Sequence, residues 1–156
     1  MECKCKKCVD GCSFAPGWFK PGEAEKAAEL LGLSMKAFFK RHLIVDYWCG
    51  DNKTDWVTVF VLKPNIVGYK PGDMCPANPM GRCSFLTSEN LCAIHTAKPF
   101  ECKEVMACQK QEHNFHAEVQ DAWNNKGAQA QITSLLGREP TTANLMEMLR
   151  SMRGER

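Results

Sequence analysis

Ten cysteines in a chain of 156 residues constrain its fold more than any other feature of the sequence. A chain of this length can bury enough apolar surface for one hydrophobic core, so folding does not require disulfide bonds. The sequence begins Met1-Glu2-Cys3, without a basic and then apolar leader, which predicts a cytoplasmic protein. In that reducing compartment, clustered cysteines bind metal ions more often than they pair as disulfides.

The first cysteine group lies in the segment CKKCVDGC, where Cys5, Cys8 and Cys12 are separated by two and then three residues. A two-residue spacer lets the backbone turn between two ligands and point its N–H groups at their sulfurs. Gly11 would favour such a turn, and the neighbouring lysines would offset part of the charge of bound thiolates. The spacing therefore predicts that three sulfurs reach one metal ion.

The second cysteine group has longer spacers, so each ligand comes from a different turn or element end. Its members are Cys75, Cys83, Cys92, Cys102 and Cys108. Three closely spaced cysteines leave one tetrahedral position open, and we expect Cys102 or Cys83 to complete the first site. Together the two groups predict two sites of four mostly sulfur ligands, which would staple the loops of the second group to the N-terminus.

The rest of the pattern predicts an α+β fold, a small metal-stapled domain with a short β-hairpin, a loop-rich cysteine block and several short helices. Apolar residues at helical spacing predict one helix between Pro21 and Gly32 and a second helix capped by Ser34. The segment LIVDYWCGDNKTDWVTVFVL predicts a hairpin, and its proline- and glycine-rich continuation over residues 63–79 predicts a loop. Further helices are expected at residues 109–126, 128–136 and 142–152, with Gly127 as a break.

The sequence contains no internal repeat and no low-complexity linker, which favours a single domain. We expect one cysteine-cluster metal-binding domain over residues 1–156, in which residues 109–156 form a helical C-terminal extension. No run of residues reaches the roughly 18 apolar positions that a membrane span needs. The sequence therefore predicts a protein that does not enter the membrane.

These cysteine motifs resemble those of a known family, the zinc- or iron-chelating cysteine-cluster proteins of the C-x-x-C-x-x-C-C type, also known as iron–sulfur-cluster-containing proteins. The resemblance covers CKKCVDGC, then PGWFKPGEAEKAAELLGLSMKAFFKRHL, CSFL at Cys83, and CAIHTAKPFEC from Cys92 to Cys102. The last segment is the most specific, because its cysteines, its proline and a basic residue all fall in register. The adjacent cysteine pair of the family is Gly11-Cys12 in this chain. One family ligand is therefore missing, and Cys3 or Cys75 would replace it.

Two kinds of metal site remain open at this point. Zinc accepts closed sites of four thiolates, needs no redox partner and contributes directly to the free energy of folding, so structural zinc is the first choice. An iron–sulfur cluster, with a role in electron transfer or redox chemistry, is the alternative, because it also takes four cysteines and shares the two-residue spacer. Ser13 follows Cys12, whereas many bacterial ferredoxin motifs have a proline after the last cysteine. This difference favours zinc.

Several other residues have two interpretations. His95 lies between Cys92 and Cys102 and could complete a site of three cysteines and one histidine, although tyrosine often fills its place in the family motif. We expect it to pack or to hydrogen-bond near the site. Cys49 stands alone beside an apolar run, which is typical of a buried structural cysteine. His113 and His116 occur in a polar segment and are expected on an exposed helix face.

Charge and motif content limit the other function classes. The formal net charge is +2, from 20 basic and 18 acidic side chains, which gives no strong field for nucleic acid. A zinc-stapled adaptor or nucleic-acid-binding module is the second alternative, with a basic patch of Lys4, Lys6, Lys7, Lys36, Lys40 and Arg41. No catalytic constellation is visible, so the sequence does not indicate an enzyme. Metal ions are the expected partners. A protein partner is also compatible with the sequence, whereas nucleic acid is not expected.

Overall fold

The structure is a computed structural model that describes residues 5–52, 55–75, 80–105, 108–140 and 153–154, with backbone alone at residues 49–52 and 55–57. Six α-helices and one β-hairpin make up most of these residues, which confirms the α+β prediction. The helices are α1 (Lys6–Phe14), α2 (Glu23–Leu30), α3 (Met35–His42), α4 (Phe100–Glu104), α5 (Phe115–Trp123) and α6 (Lys126–Leu136). The strands are β1 (Leu43–Asn52) and β2 (Asp55–Pro64), and a 3-10 turn covers His95–Ala97.

The two helices predicted before the hairpin are confirmed. Helix α2 follows Gly22, whose φ of 87° is a left-handed conformation that glycine adopts without a steric penalty. Two glutamates in its first turn interact favourably with the positive end of the helix dipole. Helix α3 begins after Ser34, whose hydroxyl accepts a hydrogen bond of 3.2 Å from the Ala37 backbone N–H. Ser34 is therefore the N-cap that the sequence predicts.

The hairpin pairs β1 with β2 in antiparallel register, from Leu43 opposite Pro64 to Asn52 opposite Asp55. Consecutive residues of both strands are buried: Leu43, Ile44 and Val45 on β1 and residues 59–62 on β2. Since successive strand side chains point to opposite faces, such a run shows that both faces of this part of the hairpin are covered. Most of these side chains join one core with apolar residues of α2, α3, α5 and α6.

Both outer edges of the hairpin are also covered. The N–H of Val45 donates to the Asp73 carbonyl at 3.0 Å, and the Val45 carbonyl accepts from the Cys75 N–H at 2.8 Å. On the other edge, the side-chain amide of Gln129 bonds both backbone groups of Phe60, at 2.9 and 3.2 Å. A glutamine from α6 therefore takes the place of a third strand at this point. Covering an edge in this way removes a template for pairing with another chain.

The C-terminal helices differ from the prediction in their bounds. Residues 109–114 are not helical, because Asn114 caps α5 by accepting from the Ala117 N–H at 3.0 Å. Gly127 is not a break, since α6 begins one residue earlier, after the Asn125 cap. The predicted helix at residues 142–152 lies outside the described residues. Within the described ranges, no helix has both the length and the apolar character needed to cross a membrane.

We predict that Gly72→Ala destabilises the fold much more than Gly137→Ala. Both glycines have a positive φ, 75° and 72°, so alanine meets the same left-handed penalty of roughly 1–2 kcal/mol at either position. A Cβ at Gly72 would also lie 2.9 Å from the Cα of Lys40, whereas a Cβ at Gly137 would meet no atom within 4 Å. Chemical denaturation measures both free energies of unfolding. Equal losses in the free energy of unfolding would show that α3 moves away from the new Cβ at residue 72 at little cost.

Candidate metal centre

Helix α1 carries the first cysteine group and is formed by the CKKCVDGC segment itself. The prediction of a turn at Gly11 is wrong, because Gly11 lies inside this nine-residue helix. Cys5 is its N-cap, and Cys8 and Cys12 follow at helical spacings of three and four residues. Residues three or four apart lie on the same face of a helix, so helical geometry brings these cysteines to one side.

One group of three thiols lies close enough to hold a metal ion. The sulfurs of Cys5, Cys8 and Cys108 all lie within 4.8 Å of one another. The Cys8 and Cys108 sulfurs are 3.7 Å apart. Four sulfurs at about 2.3 Å from a tetrahedral zinc ion are separated by about 3.8 Å, so this distance suits ligands of one ion. We call these three cysteines the thiol triad.

Four other cysteines line one cavity next to the triad. They are Cys12, Cys83, Cys92 and Cys102, which we call the inner cysteines. Cys83 is joined to α1 by its N–H, which donates to the Cys12 carbonyl at 2.8 Å. Cys102 comes from α4, and Cys92 pairs with Leu86 in an isolated β-bridge. Cys8 lines the same cavity, so the triad and the inner cysteines are neighbours.

Loss of contact with solvent and the nearness of other thiols raise the pKa of three inner cysteines, Cys12, Cys83 and Cys102. Burial raises the pKa of the Cys83 thiol to about 12, and the nearby Cys12 and Cys92 add to the rise. Burial also raises the pKa of Cys102, again with contributions from Cys83, Cys12 and Cys92. The pKa of Cys12 rises for the same reason and through Cys92, while the positive charge of Lys98 opposes the rise. A bound cation would reverse these rises in pKa by stabilising the thiolates.

Gly17 lets the backbone approach Cys102 closely. A Cβ at Gly17 would lie 2.9 Å from the Cys102 sulfur and 2.8 Å from the Glu101 Cβ. A hydrogen bond from the Gly17 backbone to the Cys102 thiol lowers the pKa of that thiol, opposing the effect of burial. The glycine therefore leaves room for an N–H donor beside a sulfur, an arrangement that stabilises thiolates in metal sites.

The cavity measures about 620 Å³ and extends from the cysteines to two buried acidic residues. Asp46 accepts hydrogen bonds from the Trp18 indole at 2.9 Å, from Lys63 at 3.3 Å and from the Cys75 thiol at 3.3 Å. Glu101 accepts from the Trp18 backbone N–H at 2.7 Å and lies 2.6 Å from His116. Trp18 thus connects the two carboxylates of the cavity wall.

The structure brings together most of the cysteines predicted as ligands, in a different grouping. Cys108, not Cys102 or Cys83, joins Cys5 and Cys8, while Cys12 faces the other inner cysteines. Cys75 is buried in a separate small cluster with Ile44 and Ile66 and bonds Asp46, so its role as a ligand stays a prediction. The side chains of Cys3 and Cys49 lie outside the described residues.

The polar residues of the cavity were missed by the sequence reasoning. Asp46 interrupts the apolar run LIVDYW, and Lys63 ends the run WVTVFVLK, which were signals of buried charge. His116 was expected to be exposed, and its side chain is half exposed, but it also lies 2.6 Å from Glu101 and contacts the Trp18 ring at a tilt of 34°, with ring centres 3.9 Å apart. His95 lines the cavity, which agrees with its expected place near the site.

No protein-family model, curated protein or solved structure matches this chain in the comparisons made. The resemblance to the cysteine-cluster family therefore rests on the cysteine motifs and stays a prediction. The part that the structure supports is the triad, a cysteine cluster able to hold a metal ion.

We predict that Gly17→Ala destabilises the protein and loosens the packing around Cys102, because the new methyl group overlaps the sulfur. Overpacking of this kind costs roughly 1–3 kcal/mol. Gly11→Ala is the matched control, since its Cβ would meet no atom within 4 Å and alanine favours the helix by about 1 kcal/mol. Chemical denaturation and the rate of Cys102 alkylation, followed by mass spectrometry, measure the two effects. Unchanged stability and alkylation in Gly17→Ala would contradict the close approach.

Proposed function

We propose that this chain is a metal-binding protein that holds zinc in cysteine-rich, mainly structural sites. The observation that carries the proposal is the thiol triad, with 3.7 Å between the sulfurs of Cys8 and Cys108. These two residues are 100 positions apart in the chain, so their meeting is not a consequence of local spacing. A bound ion would link the N-terminus to the segment after α4.

The packing of α1 supports a structural role for this metal. None of the nine residues of α1 is buried, so the helix gains little from the hydrophobic core. Short helices are marginal in water unless packing stabilises them. Its described backbone links outside the helix include those from Cys83 to the Cys12 carbonyl and from Gly81 to the Phe14 carbonyl. Metal coordination through its cysteines would supply the missing stabilisation, since metal-binding free energy becomes folding free energy.

The inner cysteines are proposed as ligands of a second site. Four cysteines from three parts of the chain line one cavity, and burial together with the neighbouring thiols raises the pKa of three of them, Cys12, Cys83 and Cys102. Thiolates are metal ligands, so a bound cation would account for the presence of four thiols in one cavity. With the triad, these residues account for seven of the eight predicted metal ligands; Cys75 is the eighth.

One observation favours an iron–sulfur cluster at the inner site as the second candidate. Among the described residues, only the triad has all its sulfurs within 4.8 Å of one another. The four inner sulfurs are thus spread more widely than the ligands of one tetrahedral ion, whose sulfurs are about 3.8 Å apart. A [4Fe–4S] cluster with bridging sulfide ions separates its four cysteine ligands further, because each cysteine binds a different iron.

We predict that the protein carries metal when it is made in a reducing cytosolic host under anaerobic handling. Cys108→Ser should lower the metal content by about one equivalent, because the triad loses a sulfur ligand. Cys75→Ser is the comparison variant, since serine keeps a hydrogen-bond donor beside Asp46, and its metal content tests whether Cys75 is a ligand. Elemental analysis after gel filtration measures each stoichiometry.

The visible spectrum of the same samples separates the two candidates. A colourless protein with zinc supports structural zinc, and a brown protein with iron and acid-labile sulfide supports the iron–sulfur cluster. Less than half an equivalent of every transition metal in the unaltered protein would overturn both. Full metal content in Cys108→Ser would show that the triad does not bind the metal.

We further predict that metal affinity keeps rising with pH beyond the range in which ordinary thiols ionise. A metal ion binds the thiolate, so it must displace a proton from any thiol whose pKa lies above the working pH. For an unshifted thiol this dependence levels off above a pKa of about 8.5, whereas burial raises the pKa of Cys83 to about 12 and also raises those of Cys12 and Cys102. The apparent dissociation constant should therefore fall by at least tenfold between pH 8.5 and 9.5.

Competition with a chromogenic chelator at several pH values measures this dependence, after correction for protonation of the chelator. Cys83→Ser is the informative variant, because it removes one strongly shifted thiol and should reduce the slope. An affinity that is constant above pH 8.5 would show that the inner thiols do not bind the metal.

A further inference from the structure

The cavity wall also contains a charged pair that is not among the proposed metal ligands. It is formed by Lys63 and Asp46, whose side chains are 4% and 10% exposed and whose charged atoms lie 3.3 Å apart. Both residues line the cavity. Removing two charges from water carries a desolvation penalty that can exceed their attraction, so a buried ion pair of this kind is weak evidence for a role in stability alone.

The hydrogen bonds around this pair give Lys63 one described acceptor for its three N–H donors. Asp46 accepts from the Trp18 indole, the Cys75 thiol, the Tyr47 N–H and Lys63, so both of its oxygens are engaged. The ammonium of Lys63 has three N–H donors, and within the described residues its bonds are to Asp46 alone. A buried donor without an acceptor is costly. The further partner that the Lys63 ammonium requires is therefore a hydrogen-bond acceptor.

The other charged groups of the cavity do not supply that acceptor. The oxygens of Glu101 are engaged by the Trp18 N–H and by His116. Lys98 lies near Cys12, whose thiol pKa it lowers, and Lys103 pairs with Glu23 at 2.9 Å. Lys63 is therefore the cavity lysine whose described acceptor, Asp46, is already shared with other donors. An anionic ligand would supply the further acceptor.

The remaining wall is mostly apolar and has an opening. Phe85 and Ile94 are buried in it, while Met80 and Val105 line the cavity and are 46% and 43% exposed, which places them where it meets solvent. A volume of about 620 Å³ lies within the range of small-molecule sites, which combine apolar walls with a few polar groups. The ligand that fits has an apolar body as well as a charged group.

We propose that the cavity binds a small monocarboxylate with an apolar body, whose carboxylate accepts hydrogen bonds from the Lys63 ammonium. The apolar body lies against Phe85 and Ile94. A charge-assisted hydrogen bond of this kind, shielded from water, is stronger than a neutral one. The inference goes beyond metal binding and does not rest on it, because neither Lys63 nor Asp46 belongs to the proposed metal ligands.

The test uses the full chain as purified, with benzoate and benzamide as probes. The two molecules share the aromatic ring and differ in charge, so their comparison isolates the carboxylate. The indole N–H of Trp18 donates to Asp46, so its nuclear magnetic resonance signal reports on the surroundings of the Lys63–Asp46 pair. The Trp18→Phe variant assigns its signal. We expect benzoate to shift this signal and to bind at least tenfold more tightly than benzamide.

Two variants then locate the carboxylate. Lys63→Gln removes the charge and keeps an amide donor for Asp46, and it should weaken benzoate at least tenfold while leaving benzamide unchanged. Lys98→Gln is the matched control, since it removes another cavity lysine near Cys12, and it should change benzoate affinity less than twofold. If Lys63→Gln does not fold, the comparison of the two probes on the unaltered chain decides the matter.

Three results would overturn the inference: equal binding of benzoate and benzamide, no shift of the Trp18 signal at millimolar benzoate, or unchanged benzoate affinity in a folded Lys63→Gln variant. The metal content of each sample is measured in parallel. Absence of metal would overturn the proposed function and leave the benzoate result standing, so the two failures are distinguishable.

Discussion

The position of the first helix depends on its cysteines, because α1 contributes no buried side chain to the core. Its Cys8 meets Cys108 at 3.7 Å, and its Cys12 carbonyl holds the N–H of Cys83. The cysteine block has little regular structure of its own in its described residues, 83–105 and 108, apart from a 3-10 turn and the five-residue α4. The two segments therefore meet through the Cys8 and Cys108 thiols and through the backbone hydrogen bond from Cys83 to Cys12. The hairpin and the other helices form the rigid support on which this connection is built.

Buried polar groups extend the same region inward from the thiols. Trp18 bonds Asp46 through its indole and Glu101 through its backbone N–H, so one residue connects the hairpin to α4. Glu101 precedes Cys102, and Gly17 precedes Trp18, so the hydrogen bonds also set the position of an inner thiol. The low polarity around these groups raises the pKa of the thiols and makes each unpaired donor costly. The candidate metal centre and the proposed anion site share this physical cause.

Much of the fold was predictable because its signals are local. Ser34 caps α3 and the paired apolar runs form the hairpin, as propensity and periodicity indicate. The bounds of the later helices were less predictable, since Asn114 and Asn125 act as caps although both are weaker sequence signals than Gly127. Asparagine is common in turns as well as at caps, so its role is decided by the packing of the helix that follows.

The sequence alone determined which groups are available for chemistry, because ten cysteines, two of them at a two-residue spacing, provide thiols in any arrangement. Tertiary structure decided which thiols meet. Cys108 joins Cys5 and Cys8, while Cys75, equally suitable by residue type, is directed to Asp46. Spacing limits only residues that are close in the chain, and pairings across 100 residues depend on how helices and loops pack against the hairpin. The buried pair of Lys63 and Asp46 likewise exists only once β1 and β2 are aligned.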